Sequence, residues 1–205
     1  MKPSDFFIGI IDFLAVLLPG AVATFFLLGM TGGWLTSLVN GVEGWHQNVS
    51  IAFMAYLLGQ IIFLLGSSLD PLYDIRRRRM RPKEGDKTFL AAKTMMEELS
   101  PELAGSLFSP FKWSKGVLQL QAPAARAEVD QLEASSKFFR SLTVMFGLAV
   151  PFMLVAGRPL EAIGCGVLSY ACFRGFFDHR WKCTELAYAY VVLATRTFPP
   201  AKPQD

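Results

Sequence analysis

Residues 51–79 read IAFMAYLLGQIIFLLGSSLDPLYDIRRRR, an apolar run that leads directly into basic residues. The part before Asp70 carries no charge and has about the length, roughly 20 residues, that an α-helix needs to cross a hydrocarbon core. Segments rich in Lys and Arg stay on the cytoplasmic side because they are not readily translocated. The stretch therefore predicts a transmembrane helix that ends in the cytosol.

The other basic residues extend this topology along the chain. Of the 20 Lys and Arg residues, 13 lie within 70–140, none lies within 40–50, and only Arg158 lies in the other loop between apolar segments. This bias predicts that both termini and the central segment are cytosolic. Hydrophobic residues make up 52% of the chain, more than a soluble core of this size needs. We therefore predict an all-α polytopic membrane protein with four transmembrane helices and a small cytosolic helical bundle.

The first span has two placements. No charged residue occurs within 13–42, which is longer than one span requires. Pro19 suits the first turn of a helix better than its interior, which favours a span at 17–38 after a short interfacial helix. The alternative is a span at 6–28, which would bring Asp12 to membrane depth.

The central segment carries helix start signals rather than the composition of a disordered linker. Asp86 is a predicted N-cap for a helix that runs to Ser100. Ser100-Pro101 and Ser109-Pro110 each combine a capping residue with proline at the first helical position. After Pro123 the apolar residues keep a helical spacing without a new cap, which predicts one continuous helix from the bundle into the third span.

A tight turn is predicted at Gly157-Arg158-Pro159, followed by a fourth span that continues into the cytosol to about Arg196. The predicted organisation is an interfacial helix at 1–16, a transmembrane hairpin at 17–69, a cytosolic helical segment at 70–140, a second transmembrane hairpin at 141–177 and a cytosolic C-terminal helix and tail at 178–205.

Small and polar residues within the spans indicate where helices could meet. Ala55 with Gly59, and Ala162 with Gly166, form pairs of small residues at a spacing of four, which lets membrane helices approach closely. Gln60 is a polar side chain within the second span. We expect a homo-oligomer in which Gln60 either bonds helices together or lines a narrow pore.

The sequence predicts no catalytic, cofactor or metal-binding residue. Asp178-His179-Arg180 is the most enzyme-like cluster, but adjacent helical residues point about 100° apart, and anchoring at the interface is the favoured role. Two His and three Cys offer no C-x-x-C or H-x-x-x-H spacing, which argues against a metal.

Basic residues near the membrane are predicted to contact anionic lipid headgroups, which attract such residues by roughly 1 kcal/mol each. Nucleic acid or a cyclic nucleotide is a less favoured ligand, because no aromatic residues are interleaved to stack on bases. The candidate lipid or ligand contacts are Arg76, Arg77, Arg78, Arg79, Arg81, Arg174 and Arg180.

Two segments carry a resemblance in layout: the Phe-rich entry from Asp5-Phe6-Phe7 to Leu17-Leu18-Pro19-Gly20, and residues 132–140, LEASSKFFR. The chain resembles small multi-pass membrane proteins that act as accessory or effector subunits of bacterial anti-phage and CRISPR systems. The resemblance carries over no functional residue. It implies an inner-membrane effector that alters membrane permeability on receiving a cytosolic signal or protein partner. The alternatives are a non-conducting sensor or scaffold that anchors a soluble effector, and a membrane enzyme acting on lipid headgroups.

Overall fold

The computed structural model describes residues 3–30, 45–80, 86–104 and 109–197, which are almost entirely helical and contain no strand. The helices of these ranges are α1 (Pro3–Met30), α2 (Trp45–Ser67), α3 (Asp70–Met80), α4 (Lys87–Leu99), α5 (Pro101–Ala104), α6 (Pro110–Gln121), α7 (Pro123–Val155) and α8 (Pro159–Thr197). The prediction of an all-helical protein is confirmed for the described residues.

Three helical stretches are long and apolar enough to cross a membrane: Trp45–Arg77, Pro123–Val155 and Pro159–Thr195. The first of them joins α2 to α3 through a turn at Ser68 and Leu69. A shorter apolar helix covers Ala15–Gly29. These lengths and compositions are those of a membrane protein. The described residues contain three such helices, whereas the sequence predicted four spans.

One compact unit comprises Met1–Leu72 and Ala134–Asp178. Its core is a cluster of small and flexible side chains from α7 and α8, against which three larger side chains of α1 and α7 pack. The Ser169 hydroxyl on α8 donates a hydrogen bond of 2.9 Å to the Thr143 carbonyl on α7. The buried members of the cluster are Ala149, Met153, Ala162 and Cys165, and the packed side chains are Phe26, Phe146 and Val150.

Helix α1 departs from the prediction, because it continues through Pro19 as one helix of 28 residues. Proline removes a backbone donor and crowds the carbonyl four residues earlier, but membrane helices tolerate it where neighbouring helices and side chains compensate. Here Pro19 is buried beside Gly20, whose backbone lies against the Ala55 carbonyl of α2. The helix is therefore continuous where the sequence predicted a break at Pro19, while the placement of the first span stays a prediction because 31–38 lies outside the described residues.

The second unit comprises Tyr73–Glu133 and His179–Asp205. Its apolar core consists of two clusters. The first joins α4, α6 and the end of α8, and the second joins α6, α7 and α8. The predicted helix starts are confirmed. Asp86 accepts a hydrogen bond from the Phe89 N–H, Ser109 accepts one from the Lys112 N–H, and α5 begins at Pro101. The fully buried apolar residues at the centres of the two clusters are Ala92, Leu118, Val129, Cys183, Ala187 and Val191.

Long helices α7 and α8 each contribute residues to both units. They are continuous from Pro123 to Val155 and from Pro159 to Thr197, as the sequence predicted. Gly157 between them has a φ of 71°, a backbone conformation that favours glycine after a helix end. The predicted tight turn at this position is confirmed.

Candidate functional site

Helices α1 and α2 cross at the first small-residue pair. A Cβ atom added to Gly20 would overlap the carbonyl oxygen of Ala55, and one added to Gly59 would overlap the carbonyl oxygen of Val16. Glycine is required at both positions because backbone meets backbone there. Ala55 and Gly59 thus pack within one chain, on the buried face of α2.

The opposite face of α2 carries a polar pair on an apolar surface. The Gln60 Nε2 atom donates a hydrogen bond of 3.0 Å to the Tyr56 hydroxyl, and this pair is exposed. The pair lies near the middle of a helix of 23 residues. Exposed apolar residues flank it on the same face: Phe53, Leu57 and Leu64. The sequence pointed to Gln60 but not to its partner Tyr56.

The second small-residue pair also packs within the chain. Ala162 is 3% exposed and belongs to the core of the first unit. A Cβ atom added to Gly166 would lie 3.9 Å from the Val150 Cγ2 atom, an ordinary van der Waals distance. These contacts are intramolecular, and the homo-oligomer contact through the same face stays a prediction.

An apolar cavity of about 230 Å³ lies between α1, α2 and α7. Every side chain that lines it is apolar, including Phe26, Leu58 and Met145. Such a cavity stays dry because it offers a water molecule or an ion no hydrogen-bonding partner. This cavity therefore offers ions no polar lining.

A buried ion pair of the first unit was not predicted. Arg140 Nη1 lies 2.7 Å from Asp70 Oδ2, and the Arg140 side chain is only 9% exposed. Its guanidinium carbon lies 5.0 Å from the centre of the Phe63 ring. A buried arginine needs such partners because burying an unpaired charge is costly in free energy. The two charges are separated by 70 positions, so no local pattern marks the pair.

Of the seven arginines predicted to contact lipid or a ligand, Arg77 faces protein. Its Nη2 atom lies 3.2 Å from Asp86 Oδ2, and its guanidinium carbon lies 5.7 Å and 5.8 Å from the ring centres of Trp181 and Tyr188. Arg76, Arg79 and Arg174 are exposed, Arg78 belongs to α3, and Arg81 lies outside the described residues. Arg180 contributes to a cavity described below.

Asp86, the acidic partner of Arg77, is also the N-cap of α4. Its carboxylate accepts hydrogen bonds from the Phe89 N–H at 3.1 Å, the Thr88 hydroxyl at 2.9 Å and Arg77 at 3.2 Å. Desolvation raises the pKa of Asp86, but these hydrogen bonds and the Arg77 charge outweigh it and hold the pKa below its usual value.

A second cavity, the basic cavity, lies in the second unit and has a volume of about 580 Å³. It is formed by α6, α7 and Arg180 of α8, and Phe111 forms part of its wall. Lys115 Nζ and the Arg180 guanidinium carbon each lie 5.6 Å from the centre of the Phe111 ring. The charged and amide side chains that line it are Lys112, Lys115, Gln119, Arg126, Glu133 and Arg180.

The cluster Asp178-His179-Arg180 is not gathered into one pocket. Arg180 lines the basic cavity, whose lining includes neither Asp178 nor His179. Among the described residues, no group of three or more His, Cys, Asp or Glu side chains is placed to hold a metal ion. Cys165, Cys172 and Cys183 are free and buried.

The chain matches no family model, no curated protein and no solved structure. Its candidate sites therefore depend on their own geometry, namely the Gln60–Tyr56 pair and the basic cavity.

Proposed function

We propose that this protein is an oligomeric, multi-pass membrane protein of the bacterial inner membrane that alters membrane permeability when its cytosolic helical unit receives a signal. The observation that carries the proposal is the Gln60–Tyr56 pair on the exposed apolar face of α2. Polar groups at membrane depth face protein or a water-filled path rather than lipid.

In this proposal α1 is the fourth span, and both termini are cytosolic. Its 28 residues correspond to about 42 Å at 1.5 Å per residue, enough to cross a bilayer. Its backbone contact with α2 through Gly20 and Gly59 supports a paired position in the membrane. The excess of Lys and Arg within 70–140 supports the orientation.

The proposed conducting path runs between copies of the chain. The cavity between α1, α2 and α7 is lined only by apolar residues, so we assign the polar lining of the path to the exposed face of α2. Gln60 retains an amide oxygen and a second N–H for a partner copy or for water.

Cross-linking tests the contact. With Cys165, Cys172 and Cys183 replaced by Ala, we expect Leu57→Cys to form disulfide-linked dimers in lipid nanodiscs or native membranes. Leu154→Cys is the matched control, since Leu154 is 57% exposed on α7, a helix that carries neither of the predicted oligomer contacts. Equal cross-linking at both positions, or none at Leu57→Cys, would contradict the proposed interface.

Ion flux tests the activity. Protein reconstituted into liposomes with a potassium gradient should release potassium faster than protein-free liposomes when a bacterial cytosolic extract supplies the signal. Gln60→Leu should reduce the efflux several-fold because an apolar constriction dewets. Asn48→Leu makes the same kind of change at the end of α2 and should have little effect. Wild-type protein that conducts nothing even with the cytosolic extract present would refute the permeability proposal.

A non-conducting scaffold is the second candidate function. It is favoured by exposed leucines on the second unit, since Leu120 is 86% exposed on α6 and Leu193 is 59% exposed on α8. Apolar side chains exposed in this way suit a soluble protein partner. A protein that binds a soluble partner through Leu120 and conducts no ions would fit this function.

A further inference from the structure

The basic cavity has more positive than negative charge. Four cations line it, namely Lys112, Lys115, Arg126 and Arg180, together with the carboxylate of Glu133. Asp130 lies 2.8 Å from Lys115 Nζ and 2.6 Å from Arg126 Nε. With both carboxylates counted, two positive charges remain uncompensated at the cavity.

The carboxylates engage two of the four cations and leave the other two unpaired. Glu133 and Asp130 both bind Lys115, and Asp130 also binds Arg126. In the part of the chain that the structure describes, Lys112 and Arg180 have no acidic partner. Arg180 is held over the Phe111 ring instead, which positions its guanidinium without neutralising it.

We propose that the basic cavity binds an anion carrying at least two phosphate groups. Guanidinium groups bind phosphate oxygens through paired hydrogen bonds, and lysine adds a compact positive charge. Lys112 and Arg180 would each bind a phosphate group, and Lys115 and Arg126 would donate further hydrogen bonds. The shared chemistry is that of a soluble polyphosphate or of a multiply phosphorylated lipid headgroup.

The site links helices of the proposed signalling unit. Its residues come from α6, α7 and α8, and α7 and α8 also contribute to the unit with the apolar spans. A bound polyphosphate would tie these helices together, so the ligand would act as the cytosolic signal. This regulatory role rests on the proposed function, whereas binding does not.

Calorimetry with inorganic tripolyphosphate tests binding. The full chain in nanodiscs of zwitterionic lipid should bind the probe, and Lys112→Gln combined with Arg180→Gln should weaken binding about tenfold or more, as expected for loss of two charge-assisted contacts. Lys87→Gln with Lys93→Gln is the control, since it removes the same charge outside the cavity and should change the affinity less than about twofold. The swap of Lys112→Arg with Arg180→Lys keeps the charge and should retain most of the binding.

The outcomes separate the alternatives. The proposal is overturned if the wild type does not bind tripolyphosphate. It is also overturned if the cavity variant and the control variant lose the same affinity while their thermal stability is unchanged. If nanodiscs that contain phosphatidylinositol bisphosphate suppress tripolyphosphate binding by the wild type, the ligand is a lipid headgroup. If tripolyphosphate binding is undiminished in these nanodiscs, the ligand is a soluble polyphosphate. Binding that leaves potassium efflux unchanged overturns the regulatory role but not the site, and absence of any efflux refutes the permeability proposal alone.

Discussion

Arg140 is a buried cation whose acidic partner is partly exposed. Asp70, 2.7 Å away, is 40% exposed, whereas Arg140 is 9% exposed. Asp70→Ala leaves the buried guanidinium unpaired and should lower the free energy of unfolding by about 1–3 kcal/mol, less than for a fully buried pair because water reaches Asp70. Denaturation in detergent micelles measures this loss. The double variant with Arg140→Met should recover stability, and additive losses would contradict a coupled pair.

Asp86 makes the stability of the second unit depend on pH in the acidic range. The pKa of its carboxyl lies below the ordinary value in the folded state. The stability that it contributes is therefore fully present above the unfolded pKa of about 3.9, and it is lost as the pH falls through the folded pKa. Asp86→Asn should flatten the decline in unfolding temperature below about pH 4. If the decline in unfolding temperature at low pH were unchanged in this variant, other carboxylates would determine the acid stability.

At the scale of helices, the crossing of α1 and α2 depends on two glycines. Gly20→Ala and Gly59→Ala place a methyl group onto a backbone carbonyl, so the helices must separate and lose their packing. Gly29→Ala is the control because a Cβ atom there meets nothing within 4 Å. We expect the first two variants to melt several degrees lower than the wild type in a detergent thermal-shift assay, and Gly29→Ala to melt at or above the wild-type temperature.

Helix α6 offers a matched test of the second unit's core. Leu118 is fully buried and Leu120 is 86% exposed on the same helix. Leu118→Ala should destabilise the unit by about 2–5 kcal/mol, while Leu120→Ala should change its stability by less than about 0.5 kcal/mol. Limited proteolysis of the central segment measures the difference. Equal resistance of both variants would contradict the packing.

The elements differ in how far sequence patterns predicted them. The starts at Asp86, Pro101 and Ser109 were predictable because a cap or a first-turn proline acts within a few residues. The break at Pro19 was predicted wrongly because its tolerance depends on the contact with α2. Likewise, Arg180 meets Phe111 only through the fold, so the basic cavity had no local signature.

At the scale of the whole molecule, the distribution of charge predicts which parts face the cytosol. We expect position 90 on α4 and position 45 at the start of α2 to lie on opposite sides of the membrane. Trp45 is 67% exposed and Leu90 is 39% exposed, so Trp45→Cys and Leu90→Cys, each in a chain with the native cysteines replaced, present a thiol to a reagent.

A membrane-impermeant maleimide added to intact bacterial spheroplasts should label Trp45→Cys, and it should label Leu90→Cys only after the membrane is opened. The physical reason is that the basic residues of 70–140 resist translocation, while 40–50 contains none. Labelling of both positions in intact spheroplasts would place the second unit outside the cell. A cytosolic signal would then have no access to the basic cavity, and its polyphosphate ligand would have to come from the opposite side.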